Sequence, residues 1–179
     1  MAENDEIPYE AKWKVAGRLA AAIPVMYDFA FRETVGDRYD VIERDIWLEI
    51  GKEVKIVADS FRLPAKTPGE IVMTLQTVAT IFFGPDWVRN PGEAGGDQAV
   101  LLTKRCPFRM KEEDLRGRPD LHFQKCLAFS TMAVENLNRN YTVRFVRSMC
   151  MGDKHCEMKI VRKEPAKDKG ETGKTGGSA

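Results

Sequence analysis

Four cysteines, Cys106, Cys126, Cys150 and Cys156, and two histidines, His122 and His155, are the side chains of this 179-residue chain best equipped for chemistry. Each histidine lies near a cysteine in sequence. A thiolate is both a nucleophile and a soft metal ligand, and four of them suit zinc or an iron–sulfur cluster. The spacing Cys-x19-Cys-x23-Cys-x5-Cys contains no C-x2-C pair of the zinc-ribbon kind. The case for a thiolate metal site therefore rests on placement. His122 and Cys126 are four residues apart, so on a helix they share a face with Phe129, Ala133 and Leu137. Cys150 ends one strand-like run and Cys156 begins the next, which brings both thiols to one end of a hairpin. Cys106 follows a third strand-like run, immediately before Pro107.

His122 and His155 are the imidazoles available to contact a bound cofactor. A metal with an open position would lower the pKa of a bound water, and Asp153 or Glu157 beside the hairpin cysteines would then act as catalytic base. Each residue also has a plainer reading. Free cysteine behaves as a small buried hydrophobe, which suits Cys126 on its apolar helix face. On the same terms His122 is a satisfied core histidine, Asp153 a turn residue and Glu157 an outward strand residue. Met149, Met151 and Met158 would fill core, and Arg105, Arg109, Arg144 and Arg147 are either solvated or ready to hold a carboxylate.

Composition excludes several partners. With 28 basic residues set against 27 acidic ones the net charge is +1, and no basic stripe for nucleic acid follows from that balance. No run reaches the ~18 apolar residues of a membrane helix, and the start Met1-Ala-Glu-Asn-Asp-Glu has neither a positive nor an apolar segment of a secretory signal. The expectation is a cytoplasmic protein that binds neither membrane nor nucleic acid, whose cysteines do not form structural disulfides.

The elements that must position these residues are helices first. About Tyr9 to Glu33 reads as a helix with Trp13, Leu19, Ile23, Met26 and Phe29 for its buried side, and Pro24 is expected to kink or divide it. About Asp37 to Phe61 reads as a second helix. Its apolar stripe is Ile42, Ile46, Ile50, Val54, Val57 and Phe61, with Glu43, Arg44, Glu49 and Glu53 on the solvated side. Thr67-Pro68-Gly69-Glu70 is a helix start, hydroxyl cap then proline then acid. It opens a third helix with Ile71, Leu75, Val78 and Phe82 inward, stopped by Gly84-Pro85. Asp86 to Asn90 reads as a short strand, Asn90 to Asp97 as a turn built on Pro91, Gly92, Gly95 and Gly96, and Gln98 to Arg105 as a strand. A fourth helix over Pro119 to Asn138 precedes a hairpin of Tyr141 to Cys150 and Cys156 to Lys163. This is an α+β fold, N-terminal helices followed by an antiparallel sheet with one crossing helix. Residues 1–64 form a helical region packing on the core, 65–163 the small-molecule- and metal-binding region, and 164–179 a tail expected to be disordered.

The run from Tyr141 to Ile160, with Gly152-Asp153 in its turn and Cys156-Glu157 after it, resembles the closing hairpin of the L-2-amino-thiazoline-4-carboxylic acid hydrolase-like proteins. Cys106-Pro107 is a second point of similarity. The order of elements is also similar to that of the 4-vinyl reductase domains, small α+β ligand-binding modules that share a fold with certain vesicle-tethering subunits. The resemblance implies a ligand pocket, cysteines that hold metal, and hydrolysis of a C–N or C–S bond in a small heterocycle. Glu157 stands where the hydrolase-like pattern has aspartate, so the resemblance bears on fold and pocket rather than on the chemistry. Three readings follow: a hydrolase, a non-catalytic metal or cofactor sensor (an iron–sulfur protein among them), and a structural subunit. A homodimer assembled through the N-terminal helices is expected beside the small-molecule partner.

Overall fold

A computed structural model describes residues 7–85, 89–108 and 119–164. The chain forms α1 (Tyr9–Val35), α2 (Arg38–Ser60), α3 (Pro68–Phe83), β1 (Arg89–Gly95), β2 (Gln98–Thr103), α4 (Pro119–Leu137), β3 (Tyr141–Arg147) and β4 (Cys156–Arg162). The strands make one antiparallel sheet in the order β1-β2-β4-β3, with α4 as the crossing helix between β2 and β3. The α+β class and its order of elements are as expected. Helices α3 and α4 lie on the sheet, α2 packs along α4, and α1 reaches α2 and α3.

Local signals set several of these boundaries. Thr67 Oγ1 accepts from Glu70 N–H at 3.2 Å while Glu70 Oε2 accepts from Thr67 N–H at 3.1 Å, a complete capping box with Pro68 inside it. On β2, Ala99, Leu101 and Thr103 alternate inward; on β4, Met158 and Ile160 do so. Cys156 has the same parity as Met158 and Ile160, and it pairs with Thr103 across the ladder. Ile71, Leu75 and Val78 of α3 complete the core with Phe129 and Val134 of α4.

Other expectations are corrected. Helix α1 runs through Pro24 without dividing, and its buried positions are Gly17, Ala21 and Asp28 rather than Trp13, Leu19, Ile23 and Met26, which are exposed. The stripe assigned to α2 is displaced around the helix. Its buried face is Tyr39, Glu43, Trp47, Gly51, Val54 and Ala58, while Ile42 and Ile46 are 50% and 49% exposed. Backbone approach is the cause. A Cβ at Gly51 would stand 2.8 Å from both Met132 Cβ and the Phe129 carbonyl, so the backbones of α2 and α4 come together at the one point of this face that lacks a side chain. The stretch around Pro91 and Gly92 is not a turn but edge strand β1, with a register shift between Pro91 and Ala94. Proline is tolerated there because an edge strand needs ladder donors on one side only. Residues 86–88, Arg109 and the tail from 165 lie outside the described residues.

Candidate functional site

A pocket opens where the helices meet the cysteine end of the sheet. Pro24 and Val25 of α1, Glu43 and Trp47 of α2, and His122, Lys125, Cys126 and Phe129 of α4 line it. Cys106 and Phe108 after β2, the Ser148-Met149-Cys150 segment and Cys156 close it. The cavity is small, about 50 Å³, and its wall is predominantly apolar. A concave, mainly apolar wall with a few polar groups is the usual character of a small-molecule site. Trp47 forms the aromatic centre, with Phe108 edge-on at 5.3 Å between centroids and Phe129 edge-on at 6.2 Å.

All four cysteines and His122 therefore share one pocket. Helical spacing places His122 and Cys126 together, as expected. Cys156 opens β4, but Cys150 sits in a 3-10 turn over Met149–Met151 rather than at a strand end. That turn is built by short-range bonds. Ser148 N–H donates to Asp153 Oδ2 at 2.8 Å, Asp153 N–H returns to the Ser148 carbonyl at 3.1 Å, and Met149 N–H donates to Cys156 Sγ at 3.2 Å. Gly152 closes it with φ 99°, a left-handed conformation that favours glycine.

Asp153, Glu157 and His155 are not among the pocket's lining residues. Asp153 shapes the turn, and Glu157 faces Arg147 Nε at 3.8 Å across β3 and β4. Among the described residues no three His, Cys, Asp or Glu side chains are grouped closely enough to hold one metal ion. The thiols line a common cavity without forming a coordination sphere as placed. Met149 is a pocket-lining buried residue and Met158 is core, whereas Met151 is exposed.

The α2 and α4 walls of the pocket carry a second cluster, charged, whose carboxylate Glu43 was expected in solvent. Glu43 is only 3% exposed, and Asp28 and Lys125 are also buried. Lys125 Nζ lies 2.8 Å from Glu43 Oε1 and 3.4 Å from Asp28 Oδ2. Arg32 holds Asp28 and Asp40 at 2.6 Å each, and its Nη2 is 3.9 Å from Glu43 Oε2. Burial pushes the Glu43 carboxyl up, and the attraction of Lys125 only partly offsets this. Although Lys125 is within ion-pair distance, neither Glu43 oxygen has an aligned hydrogen-bond donor among the described residues. Burial, aided by the neighbouring Lys125 charge, holds the His122 imidazole down at about 4, so it is neutral at physiological pH. The signal that could have found Glu43 is the four-residue spacing Tyr39, Glu43, Trp47, Gly51, which runs large residues into a glycine.

Ten solved chains match this structure, and two of them show the range of the likeness. One is a trafficking protein particle complex subunit 3 from Naegleria fowleri covalently bound to palmitic acid; it aligns with a TM-score of 0.58 at 12% identity, over 84% of this chain and 97% of that one. The other is the phenol-responsive sensory domain of the transcription activator PoxR with phenol, at TM-score 0.50 and 14% identity, over 80% of this chain and 74% of that one. No family model and no curated protein matches the sequence. At such identities the likeness is one of fold alone, and it agrees with the α+β order of elements expected from the sequence. Membership of the thiazoline hydrolase-like group is not shown. Among the described residues no helix is long and apolar enough to cross a membrane.

Proposed function

We propose that this chain is a cytoplasmic, non-catalytic binding module for a small, mainly apolar molecule held between the aromatic centre and the cysteine end of the pocket. The observation that carries this reading is the pocket itself, an apolar cavity closed by Trp47, Phe108 and Phe129 and bordered by five potentially reactive side chains, the four cysteines and His122. Two proteins of similar fold have palmitic acid or phenol named as their bound molecule, which supports a ligand-holding role for this fold here. Hydrolysis draws no such support, because neither Asp153 nor Glu157 lines the cavity. Titration calorimetry with toluene and phenol as probes tests the reading. Saturable binding that is lost when Cys126→Phe fills the cavity is the expected result; no saturable binding of either probe would sink it.

A zinc ion or an iron–sulfur cluster on Cys106, Cys126, Cys150 and Cys156 is the second reading, favoured by the presence of all four thiols on one cavity. It requires the side chains to draw closer than they stand. Stoichiometric zinc or iron after purification without oxygen would support it, and a metal-free protein with titratable thiols would end it. We further propose a homodimer through the N-terminal helices, because α1 exposes Val15, Leu19, Ile23 and Met26 and α2 exposes Ile42 and Ile46. Light scattering that gives the monomer mass at high protein concentration would refute that assembly.

A further inference from the structure

The pocket wall is mainly apolar, and one of its few charged groups is a carboxylate. Glu43 lines the cavity and is almost fully buried; Lys125 Nζ stands 2.8 Å from its Oε1, while its Oε2 has no hydrogen-bond donor among the described residues. Its ion-pair partner Lys125 is shared with Asp28. His122, the other polar group of α4 lining the cavity, is neutral. A buried acceptor left without a donor is unfavourable, and native structures rarely keep one without a use. A bound molecule that brings a donor would remove the deficit.

We propose that Glu43 is the polar anchor of the pocket, and that the ligand is an uncharged small molecule with an aromatic-sized apolar body and an O–H or N–H donor at one end. This rests on the ligand-binding reading and specifies its chemistry. The apolar body takes the slot bounded by Trp47, Phe108 and Phe129, and the donor points to Glu43 Oε2, the oxygen farther from Lys125. A cationic ligand is disfavoured by Lys125 and Arg32 on the same carboxylate. A carboxylate ligand would meet Glu43 itself. Glu43 and Lys125 also border a neighbouring cavity with Asp40, Val41, Arg44 and Gln124, so water from that side is the competing occupant of the free acceptor. Specificity separates the two. A site built around a buried acceptor rejects an analogue that lacks the donor, whereas an acceptor satisfied by water does not discriminate.

Phenol and toluene are nearly isosteric, and toluene leaves water more readily, so hydrophobic burial alone would favour toluene. Calorimetric titration of the full chain is expected to show phenol binding at least about tenfold tighter than toluene, the factor expected of one charge-assisted hydrogen bond. Glu43→Leu is expected to reverse the order. If that variant does not fold, Glu43→Gln supplies the comparison, and its preference for phenol should shrink at least about threefold as the charged acceptor is lost. Toluene binding as tightly as phenol to the unaltered protein would overturn the anchor while leaving the pocket reading intact. A preference for phenol that survives in Glu43→Leu, or that Glu43→Gln leaves undiminished, would overturn the assignment to Glu43. Failure of both probes to bind would overturn the pocket reading and the anchor together.

Discussion

The two ends of the pocket are held by different physics. At the thiol end, Cys150 and Cys156 are fixed by a backbone turn in which Ser148, Met149, Gly152 and Asp153 bond to one another within a few residues. At the carboxylate end, Asp28 from α1, Glu43 from α2 and Lys125 from α4 meet across three helices, nearly a hundred residues apart in sequence at the extremes. The first arrangement survives small shifts of the helices because it needs none of them. The second exists only when α1, α2 and α4 are docked, and it concentrates unlike charges where water cannot compensate for a missing partner. One end should respond weakly and locally to substitution, the other strongly and globally.

The largest effect is therefore expected from Lys125→Met. Removing the shared cation leaves Glu43 and Asp28 with only Arg32, which already holds Asp40, a loss of about 3 kcal/mol by analogy with other broken buried pairs. Urea unfolding monitored by circular dichroism would measure it. Because Glu43→Leu removes the stranded carboxylate, the double variant should recover a large part of the loss. Simple additivity of the two substitutions would mean that the pair is not coupled.

What was legible in the sequence follows the same division. Thr67, Pro68 and Glu70 announce α3 because a capping box is made within four residues. The β3–β4 hairpin and the shared face of His122 and Cys126 are likewise short-range facts, and from them the convergence of the cysteines could be anticipated. Glu43 could not be placed in that way. Counting apolar residues along α2 selects Ile42 and Ile46, but α4 settles where Gly51 lets two backbones come together, and that depends on the partner helix. The same holds for α1, where Gly17 meets Gly84 at the end of α3, with 2.6 Å between an added Cβ and the Gly84 Cα. Large side chains mark a face that can be buried; small ones mark the face that another helix can reach.

A pH titration sharpens the contrast further, since two groups at the carboxylate end respond with opposite sign. The folded protein leaves His122 unprotonated until about 4, while the unfolded chain binds that proton near 6.5. Between those values the unfolded state holds more protons, so stability falls as the pH is lowered through the window. Solvent screening at its exposed edge reduces the effect to about 1–2 kcal/mol. Glu43, raised by burial, works the other way: the folded state keeps its proton longer, so its contribution is present at low pH and is lost as the pH rises through the raised value. His122→Asn should flatten the acid limb of a plot of stability against pH. Glu43→Gln should steepen it by leaving the histidine unopposed. An acid limb unchanged in His122→Asn would show that the imidazole is not held neutral by this end of the pocket.

The smallest change in stability is expected at the thiol end, where the readout has to be chemical. Asp153→Ala removes the acceptor for Ser148 N–H, a net loss of about 1 kcal/mol for one part-buried hydrogen bond. The helices should stay docked, because no helix supplies a bond to this turn among those that close it. The consequence is local: Met149 N–H would no longer be held against Cys156 Sγ, and the turn carrying Cys150 would open more often. Both thiols should then react faster with a neutral disulfide reagent, while Cys126, anchored on α4, keeps its rate. Peptide mapping of the labelled protein resolves the sites. If Asp153→Ala instead lowered stability as far as Lys125→Met does, the turn would be as dependent on helix docking as the carboxylate end, and the contrast between the two ends would fail.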